Sequence, residues 1–238
     1  MSSEPLEPLL RLEGVTKRFG GLTALDRVGF SVAPSEILGL VGPNGSGKTT
    51  AINVISGIYH ADAGSVWFDG RRIDRVPSFR RVPLGINRTF QVPKPFHAMT
   101  VRENVEVAAY FGAHAPVDID AVLTQVDLEG QADLLASGLN VNQQKRLDLG
   151  RALATSPKLL LVDEIGAGLN PGELTIIADL LRNLAARGIA LIVVEHLLEF
   201  LNRIAHRVIV LSAGRMLFEG TLEGASRNPD VVAAFIGG

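Results

Sequence analysis

The stretch EILGLVGPNGSGKTT, residues 36–50, decides the fold. Its first part, residues 36–41, is a nearly continuous apolar run, which is typical of a strand buried on both faces. Its second part, residues 42–49, fits the phosphate-binding pattern G-x-x-x-x-G-K-[ST]. A helix is predicted from Lys48 to about Ser56. The pattern therefore lies between a strand and a helix, which is the context that it requires.

The residue types of this stretch suit a nucleotide. Glycines let the backbone curl so that successive N–H groups face phosphate oxygens, and a helix start adds partial positive charge. Lys48 is expected to reach the β- and γ-phosphates, and the Thr49 hydroxyl to ligate Mg²⁺. Chance produces the pattern in about one chain in a hundred of this length, so a Mg-nucleotide site is predicted. The nucleotide-binding candidates here are Gly42, Pro43, Asn44, Gly45, Ser46, Gly47, Lys48, Thr49 and Thr50.

A second apolar run, LLLVDE at residues 159–164, ends in two carboxylates. Asp163 is expected at the carboxyl end of a buried strand, where ligands of parallel sheets bind, and it would hold Mg²⁺ through water. Glu164 points elsewhere because side chains alternate along a strand. A carboxylate there can orient or deprotonate an attacking water. The alternative, a solvated strand end, is disfavoured because the phosphate-binding pattern is also present.

Composition and charge narrow the class of protein. The 238 residues suffice for one domain with a sizeable core, and 47% hydrophobic with 20% charged residues is ordinary for a soluble globular protein. A net charge of −2 gives no overall basic field, so no nucleic-acid partner is expected. The arginine-rich residues 71–81 are interpreted as a solvated surface loop, with contact to acidic lipid or nucleic acid as the alternative.

The sequence contains no cysteine and no pattern typical of a targeting or membrane-spanning segment. The chain has no cysteine, which excludes disulfides and thiol catalysis. Its acidic, proline-containing start does not have the pattern of a signal peptide or an anchor. The longest apolar run, residues 189–194, is too short to span a bilayer. Action at a membrane would therefore require docking onto an embedded partner.

Strands and helices are predicted to alternate on either side of a helical stretch. Residues 9–15, 29–32 and 85–90 read as strands, and SVWFDGRRI reads as a hairpin that turns at Asp69 and Gly70. Residues 91–155 read as helices separated by polar turns. Further on, strands at 158–163, 189–194 and 207–211 alternate with helices at 171–187 and 197–205. Such alternation predicts a parallel sheet covered by helices.

Three further residues stand in a recognisable order along the chain around these two motifs. Phe19 lies in KRFGG, Gln91 in RTFQ and His196 in VVEH, around the two motifs described above. Over almost its whole length the chain resembles the nucleotide-binding subunit of an ABC transporter. The resemblance implies that Phe19 stacks on adenine, that Gln91 ligates Mg²⁺ and that His196 acts beside Glu164 in catalysis. It also implies a single domain in the α/β class, with a RecA-like P-loop core and antiparallel β subdomain at 1–90 and 156–238 and an inserted helical subdomain at 91–155.

The stretch LNVNQ, residues 139–143, stands where the family has L-S-G-G-Q before a helix. The resemblance implies that Asn140, Val141, Asn142 and Gln143 face ATP bound to a second subunit. Asn140 keeps a donor and can cap the helix, whereas Asn142 brings a side chain where glycine allows close approach. A looser clamp is expected. Ile165 also departs from the family, which usually has proline after the glutamate.

Finer features resemble the branched-chain amino-acid transport group: Phe96 after RTFQ, MTVRENV at 99–105, AGLNP at 167–171 and the ending NPDVVAAFIGG. This implies ATP and Mg²⁺ as cofactors, transmembrane permeases as partners, and indirectly an external solute-binding protein. A second ATPase subunit is implied, a different one being favoured and a homodimer being the alternative. The chain is expected in the cytoplasm, peripheral on the inner face of the cell membrane. A permease is expected to dock near residues 91–96, the alternative being that these residues form a stiff surface loop.

Two other classes of protein fit the sequence less well. A soluble ABC ATPase of translation or repair usually carries two cassettes or long coiled-coil inserts, and this chain has neither. A P-loop kinase or GTPase would not explain Gln91, His196 and Phe19 together. We therefore expect an ATP-hydrolysing importer subunit for branched-chain or related amino acids, small carboxylates or amides.

Overall fold

Two β-sheets organise the chain. The computed structural model describes residues 7–90, 92–113 and 115–236, leaving out the side chain of residue 236, so Gln91 lies outside the described residues. The strands are β1 (Leu10–Phe19), β2 (Leu22–Val32), β3 (Ile37–Val41), β4 (Ala63–Phe68), β5 (Arg71–Arg72), β6 (Ile86–Arg88), β7 (Leu159–Asp163), β8 (Ala190–Val194), β9 (Arg207–Ser212) and β10 (Arg215–Gly220).

The helices complete the layers on either side. They are α1 (Lys48–Ile55), α2 (Ser78–Arg81), α3 (Val101–Gly112), α4 (Ile119–Gln125), α5 (Val141–Leu153), α6 (Pro171–Ala186), α7 (Leu198–Ile204), α8 (Leu222–Arg227) and α9 (Pro229–Ile236). Two short 3-10 turns, Glu129–Gln131 and Ala136–Gly138, connect α4 to α5. Within the described ranges, none of these helices combines the length and the apolar character needed to cross a bilayer.

The larger sheet has the order β10-β9-β3-β8-β7-β6, and its neighbours are parallel except at β10. Strands β3, β7 and β8 are buried at every residue, which explains their continuous apolar sequences. The register pairs Val194 with both Leu40 and Asp163, so the carboxyl ends of these three strands meet at one edge. The predicted parallel sheet is confirmed, and the antiparallel edge strand β10 is an addition to it.

The smaller sheet is antiparallel, with the order β2-β1-β4-β5. The predicted turn at Asp69 and Gly70 joins β4 to β5, and both residues have positive φ, 49° and 71°, as a tight hairpin requires. Strand β2 begins at Leu22, seven residues before the predicted start. Register shifts between β1 and β2 break the regular alternation there, so the polar Thr23 and Asp26 interrupt the sequence pattern.

Two apolar clusters lie on opposite faces of the larger sheet. Alternate residues of β7 point to different faces, with Leu160 on the side of α5 and Leu161 on the side of α1. The first cluster joins the sheet to helices α3 to α7, and the second fills the space between the two sheets around α1. Helix α1 is therefore fixed between two sheets.

One arginine of the stretch 71–81 contradicts the interpretation of that stretch as a solvated loop. Arg71, Arg75 and Arg80 are exposed, but Arg81 is only 1% exposed. Its guanidinium donates to the carbonyls of Val54, Ile55, Ile73 and Val76 at 2.7 to 2.8 Å. Burial lowers the pKa of Arg81 to about 10. The reason for the burial of Arg81 is the C-terminal end of α1, where its guanidinium donates to the carbonyl of Ile55 and adds to the Gly57 amide as a donor to the carbonyl of Val54.

Candidate functional site

The turn between β3 and α1, residues 42–47, is a curled backbone loop, here called the cradle. Gly42, Gly45 and Gly47 have φ values of 150°, 75° and 108°. A Cβ atom on Gly42 would lie 2.2 Å from the carbonyl oxygen of Leu211, and one on Gly47 would lie 2.7 Å from that of Ala24. Both positions therefore exclude any side chain, and the loop packs against the ends of neighbouring strands.

Two side chains at the cradle are set for an anion. The Lys48 ammonium is buried and donates to the carbonyls of Gly42 at 2.7 Å and Pro43 at 3.0 Å. Burial lowers the pKa of Lys48, and the carboxylates of Glu164 and Asp163 oppose that effect. In the described part of the chain, the Ser46 hydroxyl is buried with no hydrogen-bond partner. Phosphate oxygens at the loop would accept from both groups.

A cleft of about 420 Å³ opens over the cradle. Phe19 lies at its wall with 41% of its surface exposed, and its ring meets that of Tyr59 edge-on at 5.1 Å. The cleft is also lined by the exposed Thr49 and by Glu164 and His196. An aromatic face, a lysine and a carboxylate thus share one space large enough for a nucleotide.

Glu164 and His196 are brought together by the ends of β7 and β8. The Nε2 atom of His196 lies 2.7 Å from Oε1 of Glu164. The Glu164 amide donates to the carbonyl of Val194, and its φ of 49° turns the backbone sharply away from the strand. A left-handed backbone at a residue other than glycine is uncommon and is found mostly where the surroundings enforce it.

Asp163, the residue before Glu164, is paired with the basic side chain of Arg88. Its Oδ2 atom lies 3.5 Å from Nη2 of Arg88, whose other nitrogen donates to Asn53 at 2.7 Å. Burial raises the pKa of Asp163, and the positive charge of Arg88 opposes the rise. The described residues contain no cluster of three or more His, Asp or Glu side chains suited to a metal. A hydroxyl on Thr49 and a carboxylate on Asp163 nevertheless match the hard oxygen ligands that Mg²⁺ takes alongside substrate phosphates.

The start of α5 carries the amide-rich stretch. Asn140 is the N-cap: its Oδ1 accepts from the Gln143 amide at 2.9 Å, and Gln143 Oε1 accepts from the Asn140 amide at 3.0 Å. This reciprocal capping box confirms that Asn140 caps the helix. Val141 follows with 66% of its surface exposed. None of the residues 140–143 lines the cleft over the cradle.

The remaining amides of this stretch also have partners. Asn142 Nδ2 donates to Oε1 of Glu173 at 2.6 Å, and Asn142 Oδ1 accepts from Nε of Arg146. Gln144 Nε2 donates to the carbonyl of Leu139 at 2.9 Å. The Asn142 side chain is thus paired with Glu173 of α6 and with Arg146 of α5, while the Gln143 amide is capped by Asn140. The looser clamp expected from this side chain stays a prediction.

The sequence analysis did not predict several residues around the site, among them Leu22, Thr23 and Ala24 of β2, which line the cleft. Ala213 and Gly214 line the cleft from the turn between β9 and β10, and no sequence pattern marks them. Lys145 and Glu195 are buried beside the segment that follows Glu164. A signal existed for Glu195, because it is a charged residue at the end of a buried apolar run and directly precedes His196.

Comparison with known proteins places these features in a family. A family model described as ABC transporter matches residues 25–167. The high-affinity branched-chain amino acid transport ATP-binding protein LivG of Escherichia coli K12 is 33% identical over 251 residues, covering 97% of this chain and 98% of that protein. A probable branched-chain amino acid transport ATP-binding protein LivG of Archaeoglobus fulgidus is 34% identical, covering 96% of this chain and 95% of that protein.

Solved structures agree with the sequence relatives. A nucleotide-free ATP-binding cassette from an ABC transporter superposes with a TM-score of 0.88 at 32% identity, covering 97% of this chain and 100% of that one. The ADP conformation of an ATP-binding cassette of an ABC transporter superposes with a TM-score of 0.87 at 33% identity, and the match covers 97% of this chain and 99% of that one.

Proposed function

Because the chain belongs to the ABC transporter family, we propose that it is the ATP-hydrolysing subunit of an importer of branched-chain or related amino acids, small carboxylates or amides. Family membership and the RecA-like cassette fold confirm what the motifs predicted. ATP binding and ATP hydrolysis are properties of the family itself. The substrate class is supported by the names of the relatives, at about one-third identity over nearly the whole chain.

The contact between Glu164 and His196 in the cleft that contains Lys48 carries the mechanism. Lys48 exchanges its loop carbonyls for β- and γ-phosphate oxygens, and the N–H groups of the cradle surround the same phosphates. Glu164 accepts a proton from the water that attacks the γ-phosphate, and His196 fixes the carboxylate through the 2.7 Å contact. Phe19 stacks on the adenine at the exposed wall of the cleft.

Mg²⁺ is the second expected component of the site. The Thr49 hydroxyl would bind it directly and Asp163 through water, and Gln91 remains a predicted third ligand. The chemistry that Mg²⁺ would supply here is neutralisation of the negative charge that develops during phosphoryl transfer. Arg88 keeps the Asp163 carboxylate oriented at the strand end by holding it at 3.5 Å.

A second ATPase subunit completes each site in this proposal. Residues 140–143 lie outside the cleft of their own chain, so a role for them at a nucleotide requires another subunit. The N–H groups at the start of α5 and the Asn140 side chain are the donors offered. A different subunit is favoured because this chain pairs an unaltered cradle with a signature that departs from L-S-G-G-Q at residues 140–142, including the donor positions Asn140 and Asn142.

The permease is proposed to dock beside Val92 and Phe96, which places the chain on the inner face of the cell membrane. These side chains are 67% and 45% exposed. Asn104 holds the backbone of Phe96 by accepting from its amide at 2.7 Å and donating to its carbonyl at 3.1 Å. Arg151 lies 5.0 Å from the centre of the Phe96 ring. The surface is thus apolar and firmly supported by α3 and α5.

Uptake by cells that lack this gene tests the substrate class. Labelled leucine, isoleucine and valine are compared with a labelled amide and a labelled dicarboxylate, and the deletion is complemented with wild-type protein or with Lys48→Ala. Loss of uptake of at least one of these compounds, restored only by the wild-type chain, supports the proposal. Unchanged uptake of all five overturns the substrate class, whereas phosphate release by the purified chain tests hydrolysis separately.

A further inference from the structure

Two buried charged side chains hold the segment that follows Glu164. The Lys145 ammonium donates to the carbonyl of Ile165 at 3.0 Å and to that of Ala167. From the other side, the Glu195 carboxylate accepts from the amide of Gly166 at 2.6 Å. Three consecutive residues are therefore fixed by side chains from α5 and from the end of β8.

Burying these two charged side chains costs desolvation free energy, so a compensating role is expected. Lys145 is 7% exposed and Glu195 is 2% exposed. Burial lowers the pKa of Lys145 and raises that of Glu195, and their mutual attraction opposes both shifts. Apolar side chains of similar size would fill this space without the desolvation of two charges. What they could not do is bind the carbonyl and amide groups of the segment.

The segment connects three functional elements. It begins directly after Glu164, whose left-handed backbone makes its orientation depend on the residues that follow. Glu195 is the residue before His196, which contacts Glu164 at 2.7 Å. Lys145 lies in the second turn of α5, whose N-cap is Asn140. Gly166 has little spare room, since a Cβ atom there would lie 3.0 Å from Glu195 Oε1.

We propose that Lys145 and Glu195 are positioning residues for ATP hydrolysis, which fix the segment 165–167 and thereby tie the orientation of Glu164 and His196 to the start of α5. The inference rests on the proposed roles of Glu164 and His196. Neither positioning residue lines the nucleotide cleft. Their loss should therefore act on kcat and leave nucleotide affinity in place.

The variants are chosen to separate position from charge and from folding. Lys145→Met keeps the length of the side chain and removes its donors, and Glu195→Ala removes the acceptor. Glu195→Gln keeps an oxygen that can accept from Gly166 and serves as the conservative rescue. Lys158→Met and Glu199→Ala are matched controls, because both residues are exposed and lie outside the cleft.

The full-length chain is assayed for kcat, KM, the Kd of MgATP and Tm. We expect kcat to fall about ten- to a hundredfold in Lys145→Met and Glu195→Ala, with Kd within about threefold of wild type. Glu195→Gln and both controls should stay within about threefold in kcat. The double variant, Lys145→Met with Glu195→Ala, should have a kcat within about threefold of that of the slower single variant. The two effects should not multiply, because both residues act through one segment.

Hydrogen exchange gives a readout independent of activity. The peptide that contains Gly166 should exchange faster in Glu195→Ala than in wild type, and at the wild-type rate in Glu195→Gln. If Lys145→Met does not fold, the comparison of Glu195→Ala with Glu195→Gln, in kcat and in hydrogen exchange, still tests the proposal.

Including Glu164→Gln in the series separates failure of this inference from failure of the proposed function. If Glu164→Gln abolishes turnover while Lys145→Met and Glu195→Ala retain it within about threefold, the inference is overturned and the proposed function stands. If Glu164→Gln itself retains turnover, the proposed base is wrong and the inference falls with it. Equal losses of kcat in Glu195→Ala and Glu195→Gln would also overturn it, since only one of them removes the acceptor.

Discussion

Replacement of Glu164 by glutamine removes a proton acceptor and little else. The amide has the shape of the carboxylate, and its oxygen can still accept from Nε2–H of His196 at the position now 2.7 Å away. The cradle, the aromatic wall and Asp163 do not change. Nucleotide binding should therefore persist, and it should not weaken, because one negative charge has been removed from the space next to the phosphates and Lys48.

The expected loss of rate follows from the lining of the cleft. General base catalysis contributes about 10²- to 10⁴-fold. Among the described residues, Glu164 is the only carboxylate that lines the cleft, so no neighbouring side chain of its type can replace it. We therefore expect a loss of about 10³- to 10⁴-fold in kcat, which corresponds to about 4–5.5 kcal/mol in the activation barrier.

Nucleotide affinity and steady-state phosphate release are measured on the same preparation of Glu164→Gln. Glu199→Gln is the matched control, because Glu199 is exposed on α7 and lies outside the nucleotide cleft. The control should keep wild-type turnover. Turnover of Glu164→Gln within tenfold of wild type would refute the assignment of Glu164 as the base, whatever the affinity.

Three other changes test separate parts of the molecule. Phe19→Ala should weaken ATP and GTP alike by about 1–3 kcal/mol, because stacking uses the face of the base; unchanged dissociation constants would show that the ring does not stack. Arg81→Met removes donors to four carbonyls, three of them in buried contacts, at about 1 kcal/mol each, so urea unfolding should report a loss of about 4 kcal/mol. The exposed neighbour variant, Arg80→Met, should stay within about 0.5 kcal/mol, and equal effects would contradict the reasoning. Asn140→Ser with Asn142→Gly should raise ATP turnover of the lone subunit about tenfold; an unchanged rate would mean that the asparagines already form an adequate signature.

The parts of the fold that sequence predicts well are those with one dominant cause. Strands β3 and β7 are apolar at nearly every position because both faces are buried, and glycine-rich turn chemistry follows β3. The cradle was predictable for the same reason: only glycine fits where a Cβ atom would meet Leu211 or Ala24. These local requirements leave a direct trace in the sequence.

The parts that sequence could not predict depend on contacts between distant residues. Strand β10 exposes Met216 and Leu217 at the sheet edge, and only its pairing with β9 makes it a strand. Arg81 looks like any other arginine of its stretch until α1 supplies carbonyls for it. The contact of Asn142 with Glu173 joins residues 31 apart in sequence. No composition or periodicity encodes these pairings.

The buried arginine under α1 also restricts how this sequence can evolve. Gly57 follows the end of that helix with φ of 79°, and a Cβ atom on it would lie 2.5 Å from Nε of Arg81. A side chain at position 57 would meet the guanidinium and also lie 3.0 Å from the Ser78 amide nitrogen, on a positive φ that strains it even without Arg81, while loss of Arg81 removes the donor to the Ile55 carbonyl. Each substitution alone is harmful, so the two positions should covary among relatives: side chains larger than glycine at 57 should occur only where 81 is not arginine.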